Sequence, residues 1–240
     1  MKTVLTPFLP FLDVHLWCAS LDAPQTVVEQ YAATLAPDEQ QRAARFRAGT
    51  LRNRFIVGRG TLRAILARYL DADAAQPTFQ YNALGKPALA APWDQSGLRF
   101  NVSHSHGLAL FAVASGREVG VDVEWPQRRC DPAKLIHRYF SEVERREWHA
   151  LPAEQKLAGF FRGWTCKEAW LKAVGTGLSF PLDQVSVSLA PSEPPRLLSI
   201  RGDRDEAAQW HLACSIPADG YVAAVAVRGA APHINSWQWE

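Results

Sequence analysis

The sequence predicts an α+β fold made of two similar α/β halves, joined near residue 117. Strand-like and helical segments interleave along the 240 residues. The stretch Gly107-LALFAVAS-Gly116 is echoed by Gly220-YVAAVAVR-Gly229, at an offset of 113 residues. In each half a long helical segment lies roughly fifty residues upstream of that strand. Short Ala/Val strands also coincide by chance, so the echo alone decides little. Its use is geometric, because a duplicated fold has a cleft between its halves, a common place for a ligand.

The elements follow in order. VHLWCASL (14–21) reads as a strand. Pro37-Asp38-Glu39 opens an arginine-rich helix that runs to about Arg47. A second helix, about 50–70, has Phe55, Leu62, Ile65, Leu66 and Tyr69 at helical spacing. YNALGKP (81–87) is a turn-rich loop by its Asn, Gly and Pro. LRFNVSHS and HGLALFAVAS are two strands flanking a polar tip, and GVDVEW (120–125) is a third. A helical region from about 131 to 151 precedes a longer helix, about 154–174, which Gly175 and Gly177 stop. LDQVSVSL, WHLACSI and YVAAVAV close the chain as strands.

Composition sets the broad class. A hydrophobic fraction of 48% and a charged fraction of 21% are ordinary for a globular chain with a sizeable core. A net charge of +2 is too small to argue for nucleic acid. Its distribution is uneven: Arg42, Arg45, Arg47, Arg52, Arg54, Arg59, Arg63 and Arg68 follow one another with no acid among them. Most of these read as a solvated helix face, while some offer phosphate a fork of donors. Cys18, Cys130, Cys166 and Cys214 lack metal-ligand spacing, and read as reduced thiols of a cytosolic protein. Pro7, Pro10 and Asp13 interrupt the N-terminal apolar stretch before any signal-peptide core forms. No stretch approaches the ~20 apolar residues of a membrane span. The expectation is a soluble, cytoplasmic protein.

Three segments carry chemistry. In GVDVEW, Asp122 and Glu124 point to the same face of a strand, alternating with Val119, Val121 and Val123. That is either a wet edge or a pair of oxygen ligands for a hard divalent cation. In WTCKEAWLK, Glu168 and Lys172 stand at i and i+4 of a helix. They read as a surface ion pair, or as a third oxygen ligand with Lys167 and Lys172 facing phosphate. In NVSHSH, the absence of a GxSxG elbow argues against a serine hydrolase. His104 with the Ser103 hydroxyl suits phosphate contact beside the 42–54 arginines and Lys86. His106 reads better as an exposed loop histidine.

Together, LGKP (84–87), FNVSHS (100–105), GVDVEW (120–125) and FRGWTCKEAWLKAVGTGLS (161–179) resemble the Sfp-type 4′-phosphopantetheinyl transferase family. The resemblance implies two subdomains, 1–117 and 118–240, in a pseudo-twofold arrangement with coenzyme A and Mg²⁺ in the cleft between them. It implies Asp122, Glu124 and Glu168 as metal ligands, with Glu168, Lys172 and Lys167 at the chemistry. Glu144, in YFSEVE, falls where a family glutamate has been considered a base or metal-linked residue. Lys86, Ser103 and His104, with Arg42 and Arg54, correspond to coenzyme A contacts. The implied reaction moves the phosphopantetheine arm to a serine of an acyl or peptidyl carrier protein of fatty acid, polyketide or nonribosomal peptide synthesis. Adenosine 3′,5′-bisphosphate leaves. The implied protein is a monomer that meets its carrier partly through Gly175–Phe180. Two rivals remain at this point: a non-catalytic module that binds coenzyme A or a carrier, and a metal-dependent phosphohydrolase.

Overall fold

The computed structural model describes residues 9–127 and 130–240, apart from the side chain of Leu178. Residues 1–8, part of the N-terminal stretch weighed above as a signal peptide, lie outside them.

The first half runs β1 (Asp13–Ser20), α1 (Gln25–Ala32), α2 (Pro37–Ala44), α3 (Gly49–Leu70), β2 (Phe79–Tyr81), β3 (Pro87–Leu89), β4 (Leu98–Ser105) and β5 (Leu108–Ser115). The second runs β6 (Val119–Glu124), α4 (Pro132–Tyr139), α5 (Glu142–Ala150), α6 (Lys156–Val174), β7 (Val185–Val187), β8 (Leu197–Ile200), α7 (Arg204–Ala208), β9 (Trp210–Ser215) and β10 (Val222–Arg228). β11 (His233–Trp239) follows. Each long helix ends where the backbone turns left-handed, α3 at Asp71 with φ 50° and α6 at Gly175 with φ 77°. The helical region expected over 131–151 is two helices. They break because Ser141 starts α5 afresh: its hydroxyl accepts from the Glu144 N–H, and the Glu144 carboxylate accepts from the Ser141 N–H.

Sheet order repeats between the halves. The first sheet contains β1-β5-β4 and the second is β6-β10-β9, so each places its first strand beside its last and its last beside its penultimate. β5 and β10, the echoed stretches, are the central strands of these two arrays. A long helix precedes the hairpin in both. The two sheets share a core of Val14, Leu16, Leu110, Ala112, Val121, Val123, Val225 and their neighbours. The expected division at 117 needs one correction. β11 leaves the second half and pairs in parallel with β1 across Asp13–Ala19, completing the first sheet as β11-β1-β5-β4. Its tryptophans cause this: Trp237 stacks on Trp17 at 5.0 Å and the Trp239 indole donates to the Tyr31 hydroxyl at 2.8 Å. Among the described residues no helix is long and apolar enough to cross a membrane.

The halves meet edge to edge where β6 runs beside β4. Here side chains replace a backbone ladder. The N–H groups of Val121, Val123 and Trp125 donate in turn to Asn101 Oδ1, Ser103 Oγ and Ser105 Oγ, at 2.9, 3.2 and 3.2 Å. The period-two polar residues of NVSHS thus satisfy the free edge of GVDVEW, whose N–H groups would otherwise be buried without partners.

Candidate active site

β6 and α6 are pressed together by an absence. A Cβ on Gly120 would stand 2.0 Å from the Ala169 carbonyl oxygen and 2.4 Å from the Ala173 nitrogen. Only glycine lets the helix seat this closely, and the seating carries the next turns of α6 over the acids of β6. Lys172 Nζ lies 2.6 Å from Asp122 Oδ1 and 2.7 Å from Ser103 Oγ. The Ser103 hydroxyl donates to the same Oδ1 at 2.9 Å. With the Val123 N–H it has used its donor and both acceptors. In this arrangement Ser103 positions Asp122 and Lys172.

The acids are short of positive charge. Asp122 is 4% exposed, and its Oδ2 is buried with no hydrogen-bond partner. Burial pushes its carboxyl up while Lys172 pulls it down. With two donors within 2.9 Å of Oδ1, we take it as ionised. Glu168 is pushed up to about 7, first by burial and then by Asp122, with Lys172 opposing and Glu124 adding to the rise. Glu124 accepts from the Ser105 hydroxyl at 3.1 Å. The three acids thus sense one another, although among the described residues no three His, Cys, Asp or Glu side chains are already gathered as a metal-ligating group. Lys172 occupies Asp122 instead.

Next to this cluster lies a cavity of about 450 Å³ between α2, α3 and β4, whose walls include Arg42, Arg54, Phe55, Tyr81, His104 and His106. Burial lowers His104, and Lys172 and Arg42 add to the effect, so its imidazole is neutral at pH 7. Arg42 lies 5.3 Å from the Phe55 ring. Arg54 reaches the wall but is bound bidentately to Asp22 at 2.7 and 2.8 Å, and donates to the His106 carbonyl at 2.9 Å. His106 is the exposed turn histidine expected, with its ring stacked on Trp125 at 4.3 Å. The arginine run is divided: Arg42, Arg45, Arg47 and Arg52 are exposed, as a solvated face requires, while its later members turn inward. Arg63 is buried, and both it and Arg59 pair with Glu39.

Three expected site residues lie elsewhere. Lys86 donates to the Ala173 carbonyl at 2.6 Å, capping the end of α6 and lining a separate cavity of about 330 Å³. Burial lowers it to about 8. Lys167 and Glu144 face the second core. Both are 0% exposed as side chains and pair at 2.6 Å. Lys167 also donates to the Tyr139 and Leu182 carbonyls, and Glu144 accepts from the Ser141 and Val187 N–H groups. Burial alone favours their neutral forms, lowering Lys167 and raising Glu144. The hydrogen bonds favour the charged ones, and we take the pair as ionic. Consecutive residues on a helix point about 100° apart, so Lys167 cannot share the face of Glu168 and Lys172. Lys167, expected to approach the phosphates, and Glu144, expected as a base or metal-linked residue, instead pair with each other in the second core.

Residues 22–116 match the family described as 4′-phosphopantetheinyl transferase, N-terminal, and residues 118–226 match the 4′-phosphopantetheinyl transferase superfamily. Over 227 residues the chain is 42% identical to the 4′-phosphopantetheinyl transferase HetI of Nostoc sp. (strain PCC 7120), covering 95% of this chain and 92% of that protein. The chain belongs to the 4′-phosphopantetheinyl transferase superfamily. The transferase is also 32% identical to the putative 4′-phosphopantetheinyl transferase slr0495 of Synechocystis sp. (strain PCC 6803), covering 82% of this chain and 78% of that one. To the 4′-phosphopantetheinyl transferase Sfp of Bacillus subtilis (strain 168) it is 27% identical, over 67% of this chain and 69% of the other. The crystal structure of Thermotoga maritima holo-[acyl-carrier-protein] synthase aligns with a TM-score of 0.38 at 27% identity, over 47% of this chain and 62% of that one. Like its superfamily, this transferase carries phosphopantetheine from coenzyme A to carrier proteins.

Proposed function

We propose that the transfer is Mg²⁺-dependent and that the cleft divides the labour. The cavity beside α3 holds the nucleotide end of coenzyme A, and the Asp122–Glu168–Lys172 cluster handles the pyrophosphate. The observation that carries this is the orphaned, buried Oδ2 of Asp122, beside a Glu168 whose carboxyl is raised to about 7 by burial first and by Asp122 second. Such oxygens suit a hard cation that completes its shell with water and substrate phosphate. Asp122, Glu124 and Glu168 are the residues that would hold it. Mg²⁺ bound there supplies positive charge against that growing on the pyrophosphate oxygens.

The chain's own residues do the rest. Arg42 supplies charge to a nucleotide phosphate, and neutral His104 supplies a hydrogen bond. Lys172 exchanges Asp122 for the phosphate that leaves. Glu168 is placed to take the proton of the carrier's serine as its oxygen attacks the β-phosphorus. The bond from that phosphorus to the bridging oxygen breaks, and adenosine 3′,5′-bisphosphate departs. The carrier docks where exposed Leu84 and Val174 flank 175–180.

Weighing an apo carrier protein after incubation with the chain, coenzyme A and Mg²⁺ tests the proposal. The expected result is a gain of one phosphopantetheine, lost in Asp122→Asn and Glu168→Ala. Arg42→Ala and His104→Ala should instead raise KM for coenzyme A with kcat kept within a few-fold. Full transfer under chelator, or by either acid variant, would overturn the metal assignment.

A further inference from the structure

Two thiols stand outside this machinery and meet behind it. Cys166 lies on α6 and is 0% exposed. Cys214 is exposed on β9, an edge strand of the second sheet. Their Sγ atoms are 3.6 Å apart across the contact between helix and sheet. The pair is chemically unequal. The thiol–thiol hydrogen bond, in which either sulfur can donate, lowers the Cys214 thiol, burial of its sulfur opposes this, and the positive charge of Arg162 lowers it further. An accessible, acidified thiol beside a resolving one is the usual setting for reversible oxidation.

We propose that Cys166 and Cys214 form a disulfide on exposure to peroxide, and that closing it slows transfer by drawing α6 off β6. The Cys214 thiolate attacks a peroxide oxygen, the O–O bond breaks, and hydroxide leaves the new sulfenic acid. The Cys166 sulfur, giving up its proton, then attacks the Cys214 sulfur and expels the oxygen as water. Two thiols and one hydrogen peroxide become one disulfide and two waters, the sulfurs losing two electrons to the peroxide.

The link to activity is geometric and rests on the proposed roles of Glu168 and Lys172. The sulfurs must close from 3.6 Å to about 2.05 Å. The second sheet runs β6-β10-β9, and α6 lies across it. At the β6 edge the helix is seated on Gly120 and bonded through Lys172 to Asp122. A pull toward β9, the opposite edge, therefore works against that seat. The turn bearing Glu168 and Lys172 moves away from Asp122.

The test treats the reduced full-length protein with hydrogen peroxide and reads three things. Intact mass and peptide mapping should show loss of two hydrogens and a linked 166–214 peptide. Amide exchange over 167–174 should rise at least threefold. Transfer should fall at least threefold, and all three changes should reverse with dithiothreitol. Cys214→Ser and Cys214→Ala should show none of them. Oxidation of Cys214 to sulfinic acid without a link overturns the pairing. A linked protein with unchanged exchange overturns the displacement. A reduced protein inactive toward every carrier refutes the proposed site chemistry instead, while mass and exchange still decide the thiol pair.

Discussion

Glu168 is the residue whose protonation the site controls most directly. Its folded value of about 7 lies above the ordinary 4.5, so the folded chain binds this proton more tightly than the unfolded one. The stability this contributes is complete below pH 4.5 and is lost as pH rises through about 7. Without divalent cations, the melting temperature of the wild type should therefore fall across this window relative to Glu168→Gln, which lacks the titration. Differential scanning fluorimetry from pH 4.5 to 8.5 reads the difference, and parallel curves would show that Glu168 is not so strained. The same repulsion predicts a metal effect. Above pH 7, Mg²⁺ should raise the melting temperature of the wild type and leave Asp122→Asn nearly unchanged, because the ion takes the place of the missing proton.

At the scale of elements, α6 serves two faces at once. One presents Glu168 and Lys172 to the cleft, and another buries Lys167 against Glu144. Lys167→Met leaves an uncompensated buried carboxylate and should cost about 3–5 kcal/mol in denaturant unfolding. Lys167→Met with Glu144→Gln removes both charges while keeping a side-chain acceptor for the buried N–H groups, and should recover most of that loss, with transfer restored. Loss of transfer in the folded double variant would return Lys167 to the chemistry. The seat of α6 on β6 gives a second test. Gly120→Ala places a methyl carbon 2.0 Å from the Ala169 carbonyl, a backbone atom that cannot swing aside. Overpacking of this kind costs about 1–3 kcal/mol, and the shifted helix should lose transfer out of proportion to stability.

Across the whole molecule, the halves are joined in two ways. Side chains of β4 close the edge of β6, and β11 returns from the second half to pair with β1. Ending the chain at residue 230 would bare the outer edge of β1 and remove Trp237 from Trp17 and Trp239 from Tyr31 and Arg68. We expect a loss of more than ~3 kcal/mol, the scale of deleting one large buried aromatic. An unchanged unfolding midpoint would show that β11 is an ornament of the first sheet and not part of its frame.

By itself the sequence determined the α+β class, the long helices with their stops, the duplicated central strands and the four motifs. The family resemblance, and not the spacing, grouped Asp122, Glu124, Glu168 and Lys172, and the fold brings Lys172 onto Asp122. Periodicity, glycine stops and motif order are local or collinear signals, and these survive without coordinates. The capping box of Ser141 and Glu144 was readable in S-E-V-E, and would have marked Glu144 as structural. Only the tertiary structure decided that Lys167 turns into the core, that Lys86 caps α6, that Asp22 and Glu39 claim three arginines, and that β11 crosses back. The direction of a long side chain and the partner of a charge are set by which surfaces meet. Those meetings join residues tens to hundreds of positions apart, as 172 joins 122 and 13 joins 233.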